Sequence, residues 1–197
     1  GLFPHQRQWW DLQTFIRLLV GGYGSGKSEV LCKWSIACAL HNAPVWSAIV
    51  SPSFPQARRT IIPTIERLLD GKQSIRKDMS WRHNKSEHSF EISIECRPVA
   101  TLLYLSGDNP DSLKGPNLGT AAVDEPFIQE QAVFDQMQAR CRDPRARLLA
   151  LGLAGTPEQL NWGYEIAEGE LKGRYDVGYI TAPTTANAVL PDEYAER

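Results

Sequence analysis

Residues 21–28 read Gly21-Gly22-Tyr23-Gly24-Ser25-Gly26-Lys27-Ser28, which satisfies G-x-x-x-x-G-K-[ST] with Gly21, Gly26, Lys27 and Ser28 at the required places. Such a loop turns successive backbone N–H groups into one concavity, and glycine tolerates the φ/ψ values this needs. It works only between a buried strand that delivers it and a helix whose N-terminus adds its positive dipole end. The flanks meet both conditions: Phe15 to Val20 is an apolar strand candidate, and Glu29 to Leu40 reads as a helix. The expected ligand is a nucleotide, its phosphates cradled by Gly22, Tyr23, Gly24, Ser25 and Gly26. Lys27 is placed to reach the β- and γ-phosphates and the Ser28 hydroxyl to ligate Mg2+. A glycine-rich turn before an ordinary helix is the plainer alternative, and the flanks argue against it.

A second signature lies past the middle of the chain. Leu118-Gly119-Thr120-Ala121-Ala122-Val123-Asp124-Glu125 is a short apolar strand ending in two carboxylates. A parallel nucleotide-binding sheet delivers that ending beside the phosphate loop, where Asp124 holds Mg2+ through water or Ser28. Glu125 is placed to orient and partly deprotonate an attacking water, which distinguishes hydrolysers with a glutamate base from GTPase-like switches. Leu148 to Ala154 is a near-continuous apolar run of the kind buried on both faces of a parallel sheet, and it ends in Gly155-Thr156-Pro157-Glu158. Thr156, at the tip of a strand next to the acidic one, is positioned to sense the γ-phosphate and pass its loss onward. Ahead of the first strand, Gln6 carries an amide that matches the N6/N7 edge of adenine and is expected to close over the base.

The intervening segments fill out an α/β pattern. A helix is expected over Arg7 to Phe15, with Trp9, Trp10 and Leu12 on a buried face, then a strand over Val45 to Val50 ending at Ser51-Pro52-Ser53. Gln56 to Leu69 reads as a helix that Pro63 either kinks or starts near residue 62. From Met79 to Ser106 the pattern alternates, with Phe90, Ile92 and Ile94 on one face, which predicts two or three antiparallel strands at the edge of the main sheet. A helix over Gln129 to Cys141, a helix from Asn161 and a strand over Tyr175 to Ile180 complete the reading. The expected fold is a three-layer α/β P-loop NTPase of the ASCE, RecA/helicase-like type, with a mostly parallel central sheet and an antiparallel edge addition.

With a formal net charge of −2, the chain has no global positive field to hold nucleic acid, so any DNA contact comes from local groups or several subunits together. Arg58, Arg59 and the run from Arg140 through Arg142 and Arg145 to Arg147 are the basic candidates, each also readable as solvated surface. Cys32, Cys38, Cys96 and Cys141 form no C-x-x-C pair, so free thiols in a reducing compartment are expected rather than zinc. His83 and His88, without carboxylate or cysteine companions, read as surface residues. No apolar run approaches a membrane span, which predicts a soluble, intracellular protein without a membrane partner.

In order along the chain, these motifs resemble the ATPase domain of the large terminase subunit of tailed bacteriophages. The likeness runs nearly end to end: Pro4-His5-Gln6, Gly21 to Ser28, Ser51-Pro52-Ser53, Ser112-Leu113-Lys114-Gly115, Val123-Asp124-Glu125, Gly155-Thr156-Pro157, Asn161-Trp162-Gly163-Tyr164, and Asn187 with Leu190-Pro191 and Tyr194. The last two are the most family-specific. The resemblance implies a motor hydrolysing ATP with Mg2+, assembled as a homo-oligomeric ring, commonly a pentamer, and monomeric in isolation. It further implies double-stranded DNA, portal protein and small terminase subunit as partners, and a phage protein of the host cytoplasm docking on the procapsid. In the family a nuclease domain follows, and residues 1–197 end about where its linker would begin. Two positions depart from the pattern. Tyr23 stands where the family often has a basic residue, and Lys114 stands at the place of the trans-acting arginine finger. A lysine lacks the guanidinium fork, so either Lys114 does this work or Arg58, Arg59, Arg140 or Arg142 replaces it.

Two rival readings remain open at this point: a helicase-like translocase, which strand separation on a tailed substrate would reveal, and a nucleotide-gated binding module that does not hydrolyse. Glu125 discriminates the latter, because a pure binding module has no use for a general base.

Overall fold

The computed structural model describes residues 1–70, 78–157, 162–167 and 173–182. Among these residues the centre is one sheet of eight strands in the order β3-β4-β5-β2-β6-β7-β1-β8. The strands are β1 (Ile16–Gly21), β2 (Ser47–Ser51), β3 (Met79–Asn84), β4 (Ser89–Ile94), β5 (Arg97–Ser106), β6 (Thr120–Asp124), β7 (Ala150–Gly155) and β8 (Val177–Ala182). From β5 to β8 every neighbouring pair is parallel, and β3 and β4 join antiparallel at the β5 edge. β7 lies between the strand that carries the phosphate loop and the strand that ends in Asp124, as the ASCE arrangement requires. The central strands β2, β6 and β7 are buried along their whole length, as their continuous apolar runs demand.

The helices are α1 (Pro4–Trp10), α2 (Lys27–Asn42), α3 (Phe54–Arg59), α4 (Ile61–Leu69), α5 (Gln131–Arg140) and α6 (Trp162–Ala167). They cover both faces and create two cores. One packs Trp9, Trp34, Leu31, Ile61 and Ile65 against the sheet; the other packs Phe134, Met137, Trp162 and Ile166 against the opposite side. The result is the expected three-layer P-loop architecture. Among the described residues, no helix is long and apolar enough to cross a membrane.

Local boundaries differ from the sequence reading in two places. α1 spans Pro4–Trp10 rather than Arg7 to Phe15. Pro4 takes the first helical position, where a missing N–H is harmless, and Gln6 Oε1 accepts from Phe3 N at 2.9 Å to close the end. By Phe15 the chain is already tied to the far strand, with Phe15 N donating to Asp176 Oδ2 at 2.8 Å and Gly178 N donating to Thr14 Oγ1 at 2.9 Å. The helix expected over Gln56 to Leu69, kinked by Pro63 or starting near residue 62, is two helices broken at Thr60, which has φ −122° and ψ −63°, and the second starts at Ile61, one residue from that expected start. Pro63 falls in the first turn of α4, where no intrahelical acceptor awaits its nitrogen, so it ends nothing. The closing Asn187 to Tyr194 motif and Asn161 lie outside the described residues.

Candidate active site

The phosphate loop leaves β1 at Gly21 and enters α2 at Lys27. Gly26 caps the helix at φ +80°, a left-handed conformation that would strain any other residue there. Lys27 is buried, with Nζ donating to Gly22 O at 2.8 Å; the same carbonyl accepts Ser25 Oγ at 2.8 Å. A phosphate oxygen is a stronger, charged acceptor for the same ammonium. Gly24 and Tyr23 are exposed at the loop crest, and Tyr23 is 60% exposed.

Two residues of α1 hold this loop from beneath. His5 Nε2 donates to Ser25 O at 3.0 Å, and Gln6 Nε2 donates to Gly26 O at 3.0 Å. Gln6 is 1% exposed, and its oxygen serves Phe3 N. Its amide is therefore committed to the loop and its own helix end, which differs from the expected side chain open to a base. His5 was legible only as part of the Pro4-His5-Gln6 run, and nothing in the sequence indicated that its ring would reach Ser25. Past Ser28, a cleft of about 830 Å3 between α1, α2 and α4 is lined by Leu2, Arg7, Trp10, Glu29 and Lys33.

The acidic pair arrives at the neighbouring strand tips. Ser28 Oγ donates to Asp124 Oδ1 at 2.9 Å, so the helix start and the β6 end meet directly. Asp124 is 2% exposed, and burial pushes its carboxyl up to about 7. The Ser28 hydrogen bond and the Lys27 charge pull the other way, while the Glu125 charge adds to the upward push. A hydroxyl beside a buried carboxylate that lacks full charge compensation is an oxygen donor set suited to Mg2+. Glu125 adopts φ +48° and ψ 57°, an unusual conformation for a non-glycine residue and one that concentrates at functional sites. Its side chain turns toward β7, where Glu125 Oε2 accepts from Thr156 N at 2.9 Å. Thr156 is buried, and its Oγ1 is without a hydrogen-bond partner among the described residues. Lys27, Ser28, Asp124, Glu125 and Thr156 therefore gather at the carboxyl ends of three adjacent strands, β1, β7 and β6.

Strand polarity sorts the basic candidates. α3, which carries the exposed Arg58 and Arg59, follows the carboxyl end of β2, and Lys114 follows the 3-10 turn Pro110–Leu113 beyond the carboxyl end of β5. These three share the loop's end of the sheet. Lys114 is exposed and pairs with Asp111. Arg140 and Arg142 lie at the opposite end, because Cys141 between them bridges Leu118, ahead of β6. There Arg142 Nε donates to Asn117 Oδ1 at 2.9 Å. The structure thus does not bring these two arginines to their own chain's phosphate loop. Away from the site, His83 is a partly buried bridge between Glu66 Oε1 and the Tyr104 hydroxyl, each at 3.0 Å, rather than a surface residue.

The family model for the terminase large subunit, T4likevirus-type, N-terminal region matches residues 18–194. No curated protein matches the chain by sequence. Among solved structures, the large terminase of a thermophilic bacteriophage superposes with a TM-score of 0.78 at 15% identity, covering 100% of this chain and 49% of that one. The same protein in complex with ADP gives 0.76, also at 15% identity and with the same coverage. The large terminase ATPase domain of Thermus phage P74-26 gives 0.67 at 20% identity, covering 92% of this chain and 81% of that one. At these identities the likeness shows the fold, and the chain spans about half the length of the thermophilic phage terminase.

Proposed function

Because the chain belongs to the family of T4likevirus-type terminase large subunit N-terminal regions, we propose that it is the ATPase domain of a DNA-packaging motor, driving double-stranded DNA into a procapsid. What supports this beyond family membership is the meeting of Ser28 with Asp124 and of Glu125 with Thr156 at adjacent strand tips. The thermophilic phage and P74-26 terminases provide the fold precedent, the former also with ADP bound.

In this reading the loop amides and Lys27 receive the β- and γ-phosphates, with His5 and Gln6 keeping the loop carbonyls turned away from them. Ser28 and Asp124 hold Mg2+, which neutralises charge developing on the phosphate oxygens when bound. Glu125 orients the attacking water and takes its proton. Thr156, bonded through its N–H to Glu125, passes the change at the γ-phosphate into β7. Catalysis of this kind is mostly positioning and electrostatics, so an incomplete site is slow. Lys114 of a neighbouring subunit, or in its place Arg58, Arg59, Arg140 or Arg142, completes it, which makes the working form a ring on the portal, with the small terminase subunit as a further partner. The protein acts in the host cytoplasm, docked on the procapsid, and residues 1–197 form its ATPase unit.

The test is the rate of ATP hydrolysis per subunit against protein concentration, with and without portal-bearing procapsids. The expected result is slow turnover in dilute solution and a rise with concentration and with procapsids. Fast, concentration-independent turnover by a proven monomer overturns the composite site. Mixing Lys114→Ala with Glu125→Gln subunits identifies the finger. One of the two orientations of a mixed interface then pairs an intact Glu125 with an intact Lys114, so partial recovery is expected if Lys114 acts in trans; if an arginine does, Lys114→Ala subunits keep their turnover unmixed.

A further inference from the structure

Gln129 occupies a place that no sequence motif marks. It caps the 3-10 turn Pro126–Ile128 that follows Glu125, and it is 8% exposed. Its side chain folds back so that Nε2 donates to Asp124 O at 2.7 Å, closing residues 124–129 into a ring. Its backbone oxygen accepts from Trp162 Nε1 of α6 at 2.9 Å. The remaining polar atom, Oε1, is buried without a hydrogen-bond partner among the described residues. It lies against Gly107, where an added Cβ would collide with it, so any larger residue there would displace this amide. Gly107 N donates to Ser51 O at 2.8 Å, which fixes that glycine to the tip of β2. From Gly107 the chain runs through the turn Pro110–Leu113 to Lys114.

We propose that Gln129 is a positioning residue for ATP hydrolysis, locking the Asp124–Glu125 turn and joining it to the segment that carries Lys114. The inference rests on the reading of Glu125 as the base. A glutamate at φ +48° relaxes toward an ordinary conformation unless its surroundings hold it. Its own backbone is tied by Glu125 N donating to Ala154 O at 2.9 Å and Ile128 N donating to Glu125 O at 3.3 Å, and two side-chain restraints add to these from either side: Gln129 on the Asp124 carbonyl and Thr156 N–H on the Glu125 carboxylate. A native structure rarely leaves a buried amide oxygen unpaired, and such an atom calls for an explanation. Here it marks an amide placed for what its other end holds. Through Gly107, movement of the carboxylate turn reaches the Lys114 segment by direct contact, without a longer relay.

The experiment compares kcat with nucleotide affinity, read by a fluorescent ATP analogue, and with melting temperature. Gln129→Met keeps the shape and removes the donor, and should lower kcat about tenfold with affinity within about twofold, since a small misplacement of reacting groups is enough. Gln129→Glu sets a carboxylate oxygen against Asp124 O and should lower kcat about a hundredfold. Gly107→Ala displaces the same amide from the other side, so its effect and that of Gln129→Met should fall short of adding in the double variant. Wild-type kcat in Gln129→Met overturns the proposal. So does a loss of kcat matched by equal losses of affinity and melting temperature, or full additivity with Gly107→Ala. If Glu125→Gln turns over normally, the functional reading itself has failed, which is a separate result.

Discussion

Glu125→Gln should lower kcat by at least about a hundredfold while leaving nucleotide affinity within about threefold, because a positioned general base contributes roughly 10² to 10⁴ in rate. The substitution is nearly isosteric. The amide oxygen of glutamine can still accept from Thr156 N, the bond that Glu125 Oε2 accepts at 2.9 Å, so the turn and its left-handed residue keep their geometry. What is lost is the capacity to take a proton. Affinity should persist because, in the proposed site, the phosphates are held elsewhere, on the loop amides and Lys27. Glu125→Asp keeps the basicity and shortens the reach by one methylene, and should also be slow, by about a hundredfold. It should also loosen Thr156, whose N–H then has no acceptor at the same distance. Single-turnover measurement of phosphate release, beside equilibrium binding of an ATP analogue, separates these effects. Normal turnover by Glu125→Gln means the base is misassigned; absent turnover in the wild type under all conditions favours a nucleotide-gated binding module.

How much of this site could be read in advance depended on how local each feature is. The phosphate loop is eight consecutive residues, and Asp124-Glu125 follows directly from an apolar strand, so both announce themselves. The parallel centre was legible because β2, β6 and β7 carry uninterrupted runs without charge (Ala48 to Val50, Ala121 to Val123, Ala150 to Gly155), and the antiparallel edge because β4 alternates, with Phe90 and Ile92 buried. Gln6 was legible as a residue but not in its role, since the amide matches adenine chemically, yet tertiary contact engages it with Gly26, 20 positions away. His5 was legible only within the Pro4-His5-Gln6 run and Gln129 gave no signal, because their contacts with Ser25 and Gly107 arise only in the tertiary fold. The same holds for the basic residues. The resemblance singled out Lys114 in sequence, whereas Arg58 and Arg142 look alike there, and only strand polarity places Arg58 at the loop's end of the sheet and Arg142 at the other.

Asp124→Asn should abolish turnover and at the same time make the folded domain more stable at pH 8. Asp124 pairs with a hydroxyl at Ser28, and burial raises its carboxyl from 3.8 to about 7. The folded state therefore binds this proton more tightly than the unfolded chain does. Stability from the group is fully present below the unfolded value and is lost as pH rises toward 7, above which no further change comes from it. The asparagine variant has no such slope. Its advantage should be about 1–2 kcal/mol at pH 8, the relief of a buried charge less the cost of placing a new amide donor, and should reverse near pH 4, where only that cost remains. For a domain of this size that corresponds to a rise of about 2–8 °C in melting temperature at pH 8. ATP with Mg2+ should then reverse the ranking. Wild type gains stability from binding the pair, whereas the variant gains much less because the metal has lost its carboxylate. Thermal melts from pH 4.5 to 8.5, with and without Mg2+ and a non-hydrolysable ATP analogue, test both parts. Parallel pH profiles for the two proteins would show that the carboxylate is solvated or otherwise compensated in the folded state. An undiminished Mg2+-dependent shift in the variant would remove Asp124 from the metal site. On the proposed reading, the buried carboxylate destabilises the domain because its place is one where a cation, rather than the protein, is to neutralise it.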